Sequence, residues 1–243
     1  MRVLAIETAT PAQSVALLED DRLVAEASYD AKGSRGGLLL PTVDHVLRKA
    51  GVAAKDLDAV AVSIGPGSFT GLRVGLATAK GLARGTGAAV VGVPTLEALA
   101  AGYEPDAEIM ICTLLDAYRG GVYWAVFTRR AGRLERLRAD AVLAPGAVKE
   151  ALADVEQPVH LIGNGAARYR KQLEAALGKR VRVTESGLGA VPSAAIVARL
   201  GRKRLAQGTR PDAEVVPVYL RRTEAEVNWD KGLIKSPVGR LPS

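Results

Sequence analysis

The sequence predicts an α/β protein built from two copies of one βββαβαβα unit, folded as two lobes facing each other across a cleft. Three observations predict it. Apolar runs and helix-period segments follow the same order in residues 1–106 and 107–216. Each copy opens on an apolar strand that ends at an acid, Glu7 in the first and Asp116 in the second. Each then continues as a β-meander followed by crossover helices, a pattern that gives mixed sheets covered by helical layers.

In the first copy, Val3-Leu4-Ala5-Ile6 is a buried strand ending in the turn Glu7-Thr8-Ala9-Thr10. Ser14 to Leu18 and Arg22 to Ser28 complete the meander, with a tight turn at Asp20-Asp21. A Gly-rich entry leads into a helix that carries Pro41 near its first turn and stops at Gly51. Asp58 to Ile64 is a strand, Gly65 to Thr70 a loop and Gly71 to about Arg84 a helix. Ala88 to Val93 is a strand, and Thr95 is the expected N-cap of a helix to Ala101. In the second copy the strands are Glu108 to Leu115, Gly121 to Thr128 and Arg133 to Leu143, with Ala131-Gly132 as a turn. Then come a helix from Pro145 to Val155, a strand from Val159 to Ile162, a helix from Ala166 to Leu177 and a strand from Arg180 to Thr184. A helix from Ser193 to Ala206 ends at Gly208, and residues 217–243 are expected to be a loosely attached tail.

Composition narrows the function. The net charge of +7 is divided as −3 over residues 1–108 and +10 over residues 109–243, which raises the question of an RNA or phosphate partner for the second half. One cysteine, Cys112, excludes an intrachain disulfide and a cysteine zinc cage. Two histidines, His45 and His160, lie far apart and read as structural or exposed. The longest uncharged run, Ala59 to Leu72, is 14 residues and is broken by Gly-Pro-Gly, too short to span a bilayer. The N-terminus lacks a signal-peptide pattern, so the chain reads as cytoplasmic.

Three features could carry function. Glu7 and Asp116 could face each other across the cleft and hold a metal-phosphate; the alternative is that each carboxylate caps its own turn. Gly65-Pro66-Gly67-Ser68-Phe69-Thr70-Gly71-Leu72-Arg73 joins a strand to a helix but has neither dinucleotide nor P-loop spacing. Its helix start could attract an anion, or the glycines could let the helix begin close to the sheet. Finally, two helices are apolar on more than one face. One carries Leu38, Leu39, Leu40, Val43, Val46 and Leu47; the other carries Leu72, Leu76 and Leu82 opposite a smooth stripe of Gly71, Gly75 and Ala79. The excess points either to a subunit interface or to burial within the chain. The basic clusters of the second half, from Arg129-Arg130 to Arg221-Arg222, have few aromatic neighbours for base stacking.

Leu4-Ala5-Ile6-Glu7-Thr8-Ala9-Thr10, the Gly65 to Arg73 signature within Ser63 to Lys80, Gly92-Val93-Pro94-Thr95-Leu96 and Tyr219-Leu220-Arg221 closely resemble the bacterial TsaB (YeaZ) family. The resemblance implies an actin-like fold and a role in making N6-threonylcarbamoyladenosine in tRNA. It also implies pairing with a TsaD-type catalytic subunit or with a second copy, in a pathway that includes a TsaE-type ATPase. tRNA is then an indirect partner, and no membrane and no cofactor are expected. In the TsaD-type relative a His-x-x-x-His metal site follows the strand equivalent to Ala88 to Val93; here those places hold Thr95 and Leu99. Glu7 is followed closely by Ala9, where nucleotide-hydrolysing relatives favour glycine. The implied role is a non-catalytic partner whose cleft at Glu7 and Asp116 is vestigial. A nucleotide-hydrolysing or kinase-like enzyme of the same fold is the alternative. Ser34-Arg35-Gly36-Gly37 departs from the family, which often carries a histidine before its Leu-Leu-Pro.

Overall fold

The computed structural model describes residues 1–32, 37–104, 109–184, 190–208 and 215–221. The first half runs β1 (Arg2–Glu7), β2 (Ala12–Glu19), β3 (Arg22–Asp30), α1 (Leu39–Ala50), β4 (Ala59–Gly65), α2 (Phe69–Thr86), β5 (Ala89–Pro94) and α3 (Thr95–Ala101). The second runs β6 (Met110–Asp116), β7 (Val122–Arg130), β8 (Arg133–Leu143), α4 (Val148–Ala151), β9 (Val159–Ile162), α5 (Asn164–Arg168), α6 (Arg170–Leu177), β10 (Val181–Val183) and α7 (Ala194–Ala206). The sheets are ordered β3-β2-β1-β4-β5 and β8-β7-β6-β9-β10, so the topology repeats strand for strand. In each, the opening strand pairs antiparallel with the second and parallel with the fourth, as in Val3↔Leu18 and Val3↔Ala59, or Met110↔Thr128 and Met110↔Val159.

The first sheet is covered on both faces, which is why β1 and β4 are almost continuously apolar. On one face Leu4, Ile6, Val60 and Val62 pack with Leu39, Val43, Val46 and Leu47 of α1 and Leu76, Ala79 and Ala83 of α2. On the other, Val3, Ala5, Ala16, Ala59 and Ala61 pack with Ala194, Val197 and Ala198 of α7. The alanines on this face let α7 approach closely, and a Cβ on Gly201 would lie 2.5 Å from Ala61 Cβ. The closing helices are exchanged between halves: α7 covers the first sheet, while Leu96, Leu99 and Ala100 of α3 share a core with Ile111, Leu115, Phe127 and Ile162 of the second.

Local expectations changed in three places. The helix from Pro145 to Val155 is a 3₁₀ turn at Pro145–Ala147 followed by the one-turn α4, although Leu152 and Val155 remain buried. The helix from Ala166 to Leu177 begins at Asn164 and is interrupted at Tyr169. Thr95 does not cap α3; that place falls to Pro94, and Thr95 Oγ1 instead accepts a hydrogen bond from Gly65 N at 3.1 Å. Gly51, in the left-handed region at φ 66°, ends α1 as its sequence position predicts. Among the described residues no helix is long and apolar enough to cross a membrane.

A Gly201→Val variant should lose about 1–3 kcal/mol, because its Cβ would already lie too close to Ala61 Cβ and two further methyl groups must be fitted beside it. Urea denaturation should show a lower midpoint with the m-value unchanged.

Candidate functional site

β4 delivers the chain to Gly65, and a cis Gly65-Pro66 peptide turns it toward α2. Ser68 N donates to Ala9 O at 2.7 Å, and Ser68 Oγ accepts from Gly71 N at 3.2 Å, capping α2. The glycines that follow press on the β1–β2 turn. A Cβ on Gly67 would lie 2.5 Å from Ala9 O. One on Gly71 would overlap Thr8 O, and one on Gly75 would overlap Thr8 Oγ1. The smooth face of α2 therefore meets the chain's own first turn. For Gly71 and Gly75 the contact is within the chain, one of the two readings offered by the sequence.

This contact buries Glu7. Its side chain has no exposed surface; Oε1 accepts from Ala9 N at 2.6 Å, and Oε2 has no hydrogen-bond partner. Burial pushes the Glu7 carboxyl up to about 7, against the opposing pull of the Ala9 amide. Asp116 is also engaged by its own half. Its Oδ1 accepts from Tyr118 N at 3.0 Å, Oδ2 pairs with Arg168 at 2.7 Å, and Asp116 N donates to Asn164 Oδ1 at 2.9 Å. Both acids cap their own turns through the amide two residues on, the second of the two readings offered by the sequence.

The halves meet instead around a cavity of about 260 Å³. One wall is Gly67 to Thr70, the opposite wall is Tyr118, Arg119 and Tyr123, and the floor is Val218 to Arg221. Neither Glu7 nor Asp116 lines it. Tyr118, Arg119 and Gly120 all have positive φ, at 57°, 48° and 75°, so the β6–β7 turn holds two non-glycine residues in the left-handed region.

The segment 215–221 straps the halves together, which corrects the expectation of a loose tail beginning at 217. Val218 N donates to Ile64 O at 2.7 Å. Arg73 lies over the Phe69 ring, 3.7 Å from its centroid, and donates through Nε to Tyr219 Oη at 2.9 Å, while the Phe69 and Tyr219 rings stand 4.8 Å apart. At the far end Arg221 donates to Ala117 O and Tyr118 O at 3.0 and 2.9 Å. Thus Phe69 and Arg73 of the signature hold the C-terminal strap. The sequence reading missed Tyr118, Arg119 and Tyr123, and it missed the strap, for which the apolar run Val215 to Leu220 was the available signal. Residues 222–243 of the expected tail lie outside the described residues, as do Ser34, Arg35 and Gly36.

Most of the expected interface belongs to the chain's own core. Leu39, Val43, Val46, Leu47, Leu72, Gly75, Leu76 and Ala79 are buried by the first sheet and the β1–β2 turn, and Leu82 is half-buried. Leu38 and Leu40 are exposed, at 43% and 60%. Thr95 and Leu99 are buried as well. Cys112 is enclosed in the second core, and its thiol is pushed up to about 12 by burial. His160 Nδ1 lies 2.6 Å from Tyr103 Oη, and burial, then the Arg182 charge, holds its imidazole below the usual range.

The repeated topology, the exchanged helices and the cleft define an actin-like fold. ROK hexokinase from Thermus thermophilus shares that fold, with a TM-score of 0.51 at 13% identity over 85% of this chain and 100% of that one. A family model described as TsaD, tRNA N6-adenosine threonylcarbamoyltransferase, matches residues 37–229. The TsaB protein of tRNA threonylcarbamoyladenosine biosynthesis from Bacillus subtilis is 32% identical over 94% of this chain and 98% of its own length. The corresponding protein from Escherichia coli is 34% identical over 95% and 98%. YeaZ from Pseudomonas aeruginosa superimposes with a TM-score of 0.77 at 29% identity, covering 90% of this chain and 99% of that one. The chain belongs to the TsaB family of tRNA threonylcarbamoyladenosine biosynthesis proteins, homologues of TsaD.

Two measurements check the site. Alanine for glycine inside a helix normally stabilises by about 1 kcal/mol, but Gly71→Ala should destabilise, since its Cβ would overlap Thr8 O; thermal melting gives the sign. Glu7→Gln should respond to pH in a defined way. A carboxyl raised in the folded state holds its proton between the unfolded value near 4.5 and about 7, so the wild type loses stability as pH rises through that window and levels off above it. The variant should lack this decline, and denaturation from pH 4.5 to 8 compares the two profiles.

Proposed function

We propose that the chain is a non-catalytic partner subunit for the enzyme that forms N6-threonylcarbamoyladenosine in tRNA, pairing with a TsaD-type catalytic subunit. The observation that carries this reading is the state of the Glu7 corner. A phosphate-binding turn needs open space and accessible amides, whereas here Gly67, Gly71 and Gly75 are packed onto Thr8 and Ala9, and Glu7 is sealed beneath them. The residue types at the places of the relative's metal ligands support the same reading. Thr95 and Leu99 are buried, and the Thr95 hydroxyl is used in holding Gly65.

The partner then meets the outer side of α1 and α2. Leu38 and Leu40 are large, exposed and apolar, and Ala77 is exposed on α2. The same surface serves a second copy when the catalytic subunit is absent. Charging the buried leucines cannot test this, because Leu39→Glu or Leu76→Glu would put a carboxylate in the core and unfold the lobe.

The test is co-purification of the Leu38→Glu/Leu40→Glu and Ala77→Glu variants with the TsaD-type subunit. Pairing should weaken at least tenfold while the melting temperature stays within about a degree of wild type, as expected for surface positions. Undiminished pairing by both variants would remove α1 and α2 from the interface. ATP turnover by the pure chain that Glu7→Ala abolishes would overturn the non-catalytic role.

A further inference from the structure

The positive charge of the second half is divided between arginines that hold the architecture and exposed cations that do not. Among the described residues, most of its arginines are already engaged. Arg136 pairs with Asp140 and Glu97, Arg138 with Asp154, Arg202 with Asp21, and Arg204 with Glu97. Arg129 caps the C-terminus of α3 through Ala100 O, Ala101 O and Tyr103 O. Arg221 holds the β6–β7 turn. These side chains fix one element to another and have little left to offer a ligand.

The edge formed by α5, α6 and β10 is different. Residues 164–184 hold six basic side chains and one acid, Glu174. Arg168 is taken by Asp116 and Glu174 by Arg170. Lys171, Lys179, Arg180 and Arg182 are exposed, and among the described residues none of the four has an ion-pair or hydrogen-bond partner. The fold brings them to one border. Gly178, at φ 64°, turns the chain out of α6 into the 3₁₀ turn Gly178–Arg180, which presents Lys179 and Arg180 at the tip. β10 is the last strand of its sheet, with Val181 and Val183 on the core side and Arg182 on the outside. α6 packs against both the turn and β10. Its eight residues run about 12 Å, a length over which a nucleic-acid duplex presents several phosphates.

We propose that this border is a docking surface for the phosphate backbone of tRNA. The proposal rests on the reading of the chain as a subunit of the tRNA-modifying complex. The chemistry fits backbone contact and not base readout. Four flexible cations are available, while the one aromatic ring of the border, Tyr169, is half-buried beside Arg168. The surface belongs to the second half and is distinct from the α1–α2 side that the catalytic subunit is assigned, so both partners can be held together.

The experiment uses the reconstituted complex of this chain with the TsaD-type subunit and an unmodified tRNA transcript. Binding is measured across a salt series for wild type, for Lys171→Gln/Lys179→Gln/Arg180→Gln/Arg182→Gln, and for the control Arg130→Gln/Arg133→Gln. The control removes two exposed cations from the turn at the opposite border of the sheet. The quadruple variant should bind tRNA at least tenfold more weakly and reduce the slope of log K against log salt by about 3, near 0.7–0.9 per lost phosphate contact. The control should match wild type. Unchanged affinity and slope in the quadruple variant, or an equal loss per charge in the control, would overturn the proposal. So would retained tRNA binding with lost capture of the pathway's ATPase, which would give the border to an acidic protein surface. Co-purification of the quadruple variant with the catalytic subunit is scored separately. If wild type itself fails to pair, the subunit reading has failed and not this surface.

Discussion

The fold of the first half hangs on the contact between the glycine face of α2 and the turn after β1. A helix normally stands off a strand end by the thickness of its side chains. Here Gly67, Gly71 and Gly75 remove them, so the backbone of the loop and helix lies against Thr8 and Ala9. The approach fixes the start of α2, which Ser68 then caps, and it determines the environment of Glu7. A buried carboxyl with one oxygen lacking a partner in the chain is held nearer its neutral form, and no charged side chain contributes to its shift. The contact that organises the lobe also withdraws its acid from solvent.

Two further devices join the halves. The closing helices are exchanged, so that α7 belongs by packing to the first sheet and α3 shares the core of the second. The strap at 215–221 then binds both walls of the cleft, through Tyr219 on the Phe69–Arg73 pair and through Arg221 on the β6–β7 turn. The two halves therefore share hydrophobic cores and a hydrogen-bonded tie. The signature loop of the family contributes its Phe69 and Arg73 to that tie and its glycines to the close approach, both of them structural tasks.

The charge asymmetry takes on a more specific meaning in three dimensions. Arginines of the second half that reach carboxylates or helix carbonyls hold the architecture, while Lys171, Lys179, Arg180 and Arg182, exposed and without a partner among the described residues, share one border. Partner contact through apolar side chains is assigned to one half and polyanion contact through cations to the other, which is consistent with the net charges of −3 and +10.

The alternation of apolar runs determined the duplicated order of elements, because strand and helix periods are local properties of the chain. Gly51 as a stop, Ser193 as a cap and the family signature were legible for the same reason. The motif residues could also be picked out, but their tasks could not. Whether Glu7 opens onto a cleft or is sealed depends on how close α2 comes, a distance set by residues some sixty positions apart. Whether Leu39 or Leu40 faces outward depends on the angle at which α1 settles on the sheet; Leu39 lies in the core and Leu40 in solvent, although their side chains are equivalent. The strap and the free border were likewise decided by long-range pairing, since the sequence lists charges and apolar residues without saying which of them the fold will use up.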